Sequence, residues 1–316
     1  MADGTNLAQR GKFEDPFRTA SGELRATVDL TRLETLWFNT GTLCNIECAN
    51  CYILSSPTND ALVYLTTAEV ESYLDEIEAT GLSTREIGFT GGEPFMNPDM
   101  CAMAETALAR GFEVLILTNA MRPMLRPQVK ESLAALANTY GDKLTLRVSI
   151  DHYSARYHDA ERGRGTFDKT VEGMRWLRDN GVRMAAAGRT MWNEDEATSR
   201  AGFKRLFAEE GFEIDADHPA SLVLFPEMDE TAEVPEITTA CWGILDKSPD
   251  DVMCSSARMV VKRKGASQPA VLACTLLAYD TAFELGNTLA EANRPVALNH
   301  PHCSKFCVLG GARCSA

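Results

Sequence analysis

The chain has 316 residues, 45% hydrophobic and 24% charged, the balance of a globular protein long enough to bury a large core without covalent staples. Its 31 Lys and Arg stand against 45 Asp and Glu, a net charge of −14 that repels phosphate backbones and anionic lipid, so neither nucleic acid nor a membrane surface is an expected partner. The N-terminus lacks the apolar core of a signal peptide and no run of about 18 apolar residues occurs, so the expectation is a cytoplasmic protein whose ten cysteines are reduced.

Residues 1–32 match no pattern and are read as an N-terminal extension. From residue 33 strand-like and helix-like pieces alternate. "LETLWFNT" predicts a first strand, and Thr66 with Glu69 forms a capping box opening a helix that Gly81 ends. "REIGFTGG" predicts a second strand, followed by a helix with Asn97 as cap and Pro98 at its first position. "FEVLILTN" and "KLTLRVSID" predict a third and a fourth strand flanking the helix of "RPQVKESLAALAN". "TFDKTVEGMRWLRDNG" is helical and stops at Gly181; "VRMAAAGRTMW", "SRAGFKRLFAEEG" and "ASLVLFPE" predict a fifth strand, a helix and a sixth strand.

Six β-α units in one direction imply an α/β fold, a partial (β/α)6 TIM-type barrel of parallel strands over residues 33–230. Functional groups then gather at the carboxyl ends of the strands, where Cys44, Cys48 and Cys51, Gly91 to Pro94, Asn119, Asp151 and Arg189 all fall.

After residue 230 the repeat stops. "DETAEVPEITT" reads as a linker, "ARMVVKRKG" and "PAVLACTLL" as a hairpin around Gly265, and "FELGNTLAEA" as a turn into a short helix. Residues 231–316 are thus expected to be a small cysteine-rich α+β extension organised by a metal rather than by a core of its own. "VVKRKG" is read as a solvated hairpin tip, Cys101 as a small core residue, and Cys241 as a ligand, a relay thiol or plain packing. His152 and His158 are read as surface or hydrogen-bonded residues rather than catalysts.

Three thiols at 44, 48 and 51 leave a tetrahedral zinc site one ligand short, and the nearest histidine, His152, is far away in sequence. The incomplete set suits an iron–sulfur cubane with one iron left open. Here the sequence resembles the radical S-adenosylmethionine (SAM) enzymes, whose Cys-x3-Cys-x2-Cys-aromatic signature is met by Cys44, Cys48, Cys51 and Tyr52, and whose Gly-Gly-Glu motif is met by Gly91, Gly92, Glu93 and Pro94. The resemblance implies a SAM-binding [4Fe-4S] cluster, reductive cleavage of SAM to a 5′-deoxyadenosyl radical, and a reductant such as a flavodoxin or ferredoxin. By the same resemblance Glu93 suits the SAM ammonium, Asn119 matches a third-strand motif, and Ser149 and Arg189 suit the SAM carboxylate or ribose.

Cys254, Gly265, Cys274 and "ELGNTL" resemble the SPASM and twitch extensions of that family, which hold auxiliary clusters. Five thiols in this region, six with Cys241, cannot fully ligate two four-cysteine clusters, so one auxiliary [4Fe-4S] cluster is expected, held by Cys254, Cys274 and two of Cys303, Cys307 and Cys314. The implied function is hydrogen abstraction from a peptide or small-molecule substrate, for oxidation or bond formation. The alternative reading is a non-catalytic zinc or iron–sulfur regulatory protein.

Overall fold

The computed structural model describes residues 11–310, except 228, 230 and 232. In chain order the strands and α-helices are β1 (Thr27–Val28), β2 (Thr35–Asn39), α1 (Thr67–Thr80), β3 (Glu86–Thr90), α2 (Met100–Ala109), β4 (Glu113–Thr118), α3 (Pro127–Tyr140), β5 (Leu144–Ser149), α4 (Ala155–Arg162), α5 (Thr166–Asp179), β6 (Arg183–Arg189), α6 (Glu196–Glu210), β7 (Leu222–Phe225), α7 (Cys241–Leu245), β8 (Ala257–Val261), β9 (Ala270–Leu272), β10 (Glu284–Gly286) and β11 (Val296–Ala297).

Nine of these strands form one sheet in the order β10-β9-β8-β2-β3-β4-β5-β6-β7. The six strands β2 to β7 are parallel and consecutive, and β7 and β10 are the two ends of a sheet that does not close. Strand β2 is buried along its whole length, as a central parallel strand with both faces covered must be. The side chains of α1 bury Val70, Tyr73, Leu74 and Ile77, and its start carries both halves of the capping box, Thr66 with Glu69.

The hairpin expected around Gly265 is present, with β8 antiparallel to β9. It adds to the barrel sheet: β8 lies parallel to β2, pairing Thr35 with Ala257 and Phe38 with Val260. The linker-like stretch is also pinned, because Ala26 N donates to Ile237 O at 2.9 Å and β1 pairs with β11. The segment around β1 therefore meets both the stretch after β7 and strand β11.

Two local expectations need correction, and two segments take a form the sequence left unread. Helix α2 starts at Met100 with Asp99 as N-cap, because Asn97 Oδ1 instead accepts from Asp99 N and its amide donates to Thr40 O and Leu65 O. "FELGNTLAEA" gives β10 and turns rather than a helix, since its pairing with β9 outweighs a short run of helix formers. Inside the loop after β5 lies α4, whose polar sequence carries little apolar periodicity. Cys303–Leu309 is a π-helical segment, and Cys314 lies outside the described residues.

Candidate active site

The cysteine loop leaves β2 and is held by the strand beside it. Gly92 N donates to Gly41 O at 2.9 Å and Glu93 N to Leu43 O at 3.1 Å, so the Gly-Gly pair runs against the backbone that carries Cys44. Gly91 has φ +145°, and a Cβ on Gly92 would lie 2.3 Å from Leu43 O. Only glycine permits that approach.

The other side of the loop is held by α4. Ala49 N donates to Glu161 O at 2.8 Å, and the Glu161 carboxylate accepts from Asn50 N and Asn50 Nδ2, both at 2.8 Å. Below, Tyr279 Oη donates to Ile53 O at 2.7 Å and Val63 N to Lys262 O at 2.8 Å, so the C-terminal hairpin braces the same loop.

These contacts bring Cys44, Cys48, Cys51, Tyr52, Gly91, Gly92, Asn119, Ser149, Arg162 and Arg189 to the wall of one cavity at the carboxyl ends of the parallel strands. Pro94 is buried just behind, at the first position of a short 3-10 turn. Asn119 is positioned by α5, where Thr170 Oγ1 donates to Asn119 O at 3.2 Å; its amide donates to Asn45 Oδ1 at 2.9 Å and comes within 3.9 Å of Cys44 Sγ.

Glu93 is 1% exposed and absent from the cavity wall. Its carboxylate accepts from Thr118 Oγ1 and Asn119 N at 2.8 Å and from Phe95 N at 3.2 Å. Burial pushes its pKa up to about 7 against the pull of the Asn119 and Thr118 hydrogen bonds. In this conformation it organises the end of β4 rather than facing an incoming ammonium.

Two residues that the sequence did not single out, Glu161 and Arg162, join Asp151 in completing or holding the wall. Arg162 grips Asp151 in two places, Nε–Oδ2 at 2.7 Å and Nη2–Oδ1 at 2.9 Å. Burial raises the Asp151 pKa, but the Arg162 charge outweighs it and holds the carboxyl below its usual range. Arg189 donates through Nη2 to Asn50 O at 2.7 Å and lies 3.7 Å from both Asp151 and Glu161. The signal for this cluster was the Asp151 to Arg162 segment itself, legible as a loop but not as a helix returning an arginine to the strand end.

His152 and His158 are both buried rather than at the surface, and His152 is hydrogen-bonded, its Nδ1 accepting from Ser154 N at 2.9 Å. His152 packs edge-on against Trp192 with ring centres 4.8 Å apart, and neither ring nitrogen of His158 has a hydrogen-bond partner among the described residues. Burial, assisted by Arg162, pushes the His158 pKa down to about 4.

The donor set tests the fit to an iron–sulfur cluster. Burial pushes the Cys44 thiol up to about 12 and also raises Cys48, so without a bound cation these groups stay protonated. Three thiols beside a glycine-lined opening fit a larger group with one corner free.

A second thiol group lies across the sheet. Cys254 and Cys303 are buried, Cys274 is half-buried, and burial followed by the proximity of Cys274 and Cys254 raises the Cys303 pKa. Cys307 packs against the same core from the π-helical segment. Cys241 begins α7 with its sulfur 3.4 Å from Thr238 N.

Residues 38–196 match the family model of the radical SAM superfamily. The chain belongs to that superfamily. Among curated relatives, it is 34% identical over 154 residues to the antilisterial bacteriocin subtilosin biosynthesis protein AlbA of Bacillus subtilis, covering 47% of this chain and 32% of that protein. It is 32% identical over 145 residues to the mycofactocin maturase MftC of Mycobacterium tuberculosis, covering 46% of this chain and 32% of MftC. The matches thus span about a third of these relatives. Streptococcus suis SuiB bound to its precursor peptide SuiA shares the fold, with TM-score 0.60 and 12% identity over 84% of this chain and 66% of SuiB. At this identity the SuiB likeness concerns the fold. None of its described helices is long and apolar enough to cross a membrane.

Proposed function

We propose that this chain is a radical SAM enzyme that modifies a peptide, with residues 33–230 as the catalytic core and 231–316 carrying one auxiliary [4Fe-4S] cluster. Cys44, Cys48 and Cys51 would hold the SAM-binding [4Fe-4S] cluster; Cys254, Cys274 and Cys303, with Cys307 or Cys314, would hold the auxiliary one. The observation that carries this reading is the single cavity lined by the three thiols, the Gly-Gly backbone and two arginines at the strand ends.

When bound, the reduced cluster supplies the electron that splits SAM and so yields a radical able to take hydrogen from a C–H bond. This chain's residues do the rest. The carbonyls of the Gly91–Gly92 segment accept from the SAM ammonium, which only donates. Arg189 and Ser149 meet its carboxylate or ribose; Arg189 is already turned to the cysteine loop by Asn50 O. Tyr52, half-buried beside Thr90, covers the cluster side, and Asn119 is held rigid by Glu93. Glu93 serves as a positioning residue.

A peptide is favoured over a small molecule because two proteins that share the fold are seen with one, SuiB with the precursor peptide SuiA and anSMEcpe with the Cp18Cys peptide, and because one relative is named for bacteriocin biosynthesis. The reductant is a low-potential protein such as a flavodoxin or ferredoxin. The rival reading, a zinc regulatory protein, leaves the arginine-lined cavity without a purpose.

Anaerobic reconstitution with iron and sulfide, then SAM and dithionite, tests the proposal. The wild-type chain should release 5′-deoxyadenosine and methionine, and Cys48→Ala should not. Adding the peptide encoded nearest the gene should raise turnover and remove hydrogen from that peptide by mass. Zinc in place of iron, with no nucleoside product, would support the rival.

A further inference from the structure

Strand β8 is buried throughout, yet its second residue is Arg258, 1% exposed. Its guanidinium donates to four carbonyls: Cys254 at 2.6 Å, Ala257 at 2.8 Å, Ala292 at 3.1 Å and Arg294 at 3.4 Å. Those bonds use four of its five N–H groups but do not offset its charge. Elsewhere in the interior, Arg25 pairs with Glu236, Arg162 with Asp151, Arg189 with Asp151 and Glu161, and Arg147 acts on Glu86. Among the described residues no carboxylate lies within ion-pair distance of Arg258, and the ionisable groups acting on it are the thiols Cys254 and Cys274.

A buried cation without a counter-charge is costly, and neutral thiols do not offset it. Thiolates around an iron–sulfur cluster do. Resting on the auxiliary-cluster reading, we infer that Arg258 is the built-in counter-cation of that cluster, raising its reduction potential and tying the stability of β8 to cluster assembly. Reduction adds negative charge beside a fixed positive one, which favours the reduced form; charge and hydrogen bonding around a cluster are the protein's levers on its potential. Arg25 also acts on Cys303, but Glu236 neutralises it, so Arg258 carries the net positive charge.

The test uses the full chain with Cys44, Cys48 and Cys51 replaced by alanine, so that any cluster signal comes from the auxiliary site. After reconstitution, a redox titration followed by electron paramagnetic resonance should place the Arg258→Met midpoint more negative than the parent, with Arg258→Lys close to the parent. The rise in Tm on reconstitution should be smaller for Arg258→Met than for the parent. Equal midpoints for Met and parent, or a Lys midpoint shifted as far as that of Met, would overturn the inference. If the Met variant does not fold, Arg258→Gln against Arg258→Lys reads the same difference. A parent that takes up iron but loses no midpoint with the charge sinks Arg258's role alone, whereas a parent that forms no cluster sinks the auxiliary-cluster reading and this inference with it.

Discussion

A methyl group separates glycine from alanine, and at position 92 that methyl would lie 2.3 Å from the carbonyl oxygen of Leu43. The backbone of the cysteine loop must then move. Gly92→Ala is expected to cost roughly 1–3 kcal/mol and to lower the iron bound per chain after reconstitution. Gly243, with nothing within 4 Å of an added Cβ, is the control: Gly243→Ala should bind wild-type iron and change stability by no more than about 1 kcal/mol. Glu93 acts at the same scale through hydrogen bonds. Glu93→Ala leaves Asn119 N, Phe95 N and Thr118 Oγ1 without their acceptor in a buried site, and a loss of about 2–4 kcal/mol should show in the urea midpoint.

Helix α4 is the element that joins the cysteine loop to the strand ends, through Glu161 on Asn50 and Arg162 on Asp151. It also buries His158, whose pKa falls from 6.5 to about 4. An unfolded chain protonates this imidazole near pH 6.5 and the folded one only near pH 4, so between those values the unfolded state binds more protons. Stability therefore falls as pH drops through that window, by up to about 1.4 kcal/mol per pH unit from this group. His158→Leu should flatten that part of the profile, measured as Tm against pH from 4 to 7 in one buffer series. An unchanged slope would assign the acid sensitivity elsewhere.

At the scale of the whole molecule the N-terminal segment is tied to the stretch that follows β7. Arg25, with no exposed side-chain surface, is paired with Glu236, and the same carboxylate accepts from Phe13 N at 2.8 Å and Ala20 N at 2.6 Å. Glu236→Ala leaves a buried cation unpaired and should cost about 3–5 kcal/mol in chemical denaturation, while the double change Arg25→Met with Glu236→Met should recover much of it. Hairpin β8–β9 has a second task besides covering the edge of β2. Through Lys262, Lys264 and Tyr279 the segment from β8 to Tyr279 holds residues 53–63, the far side of the cysteine loop.

The sequence by itself determined the run of six parallel β-α units, the capping box and glycine stop of α1, the thiol triplet and the Gly-Gly-Glu stretch, because these depend on short-range periodicity, cap chemistry and spacing. It also named most of the cavity wall, since strand ends in such a sheet face one mouth. Only the tertiary structure decided that β8 joins β2, that Glu93 turns inward, that Arg162 returns to the cysteines and that Arg258 is buried without a carboxylate. Each of those is a contact between residues distant in sequence, or a choice of direction for one side chain. Such contacts are set by packing and by the pairing of buried charge, which no local pattern encodes.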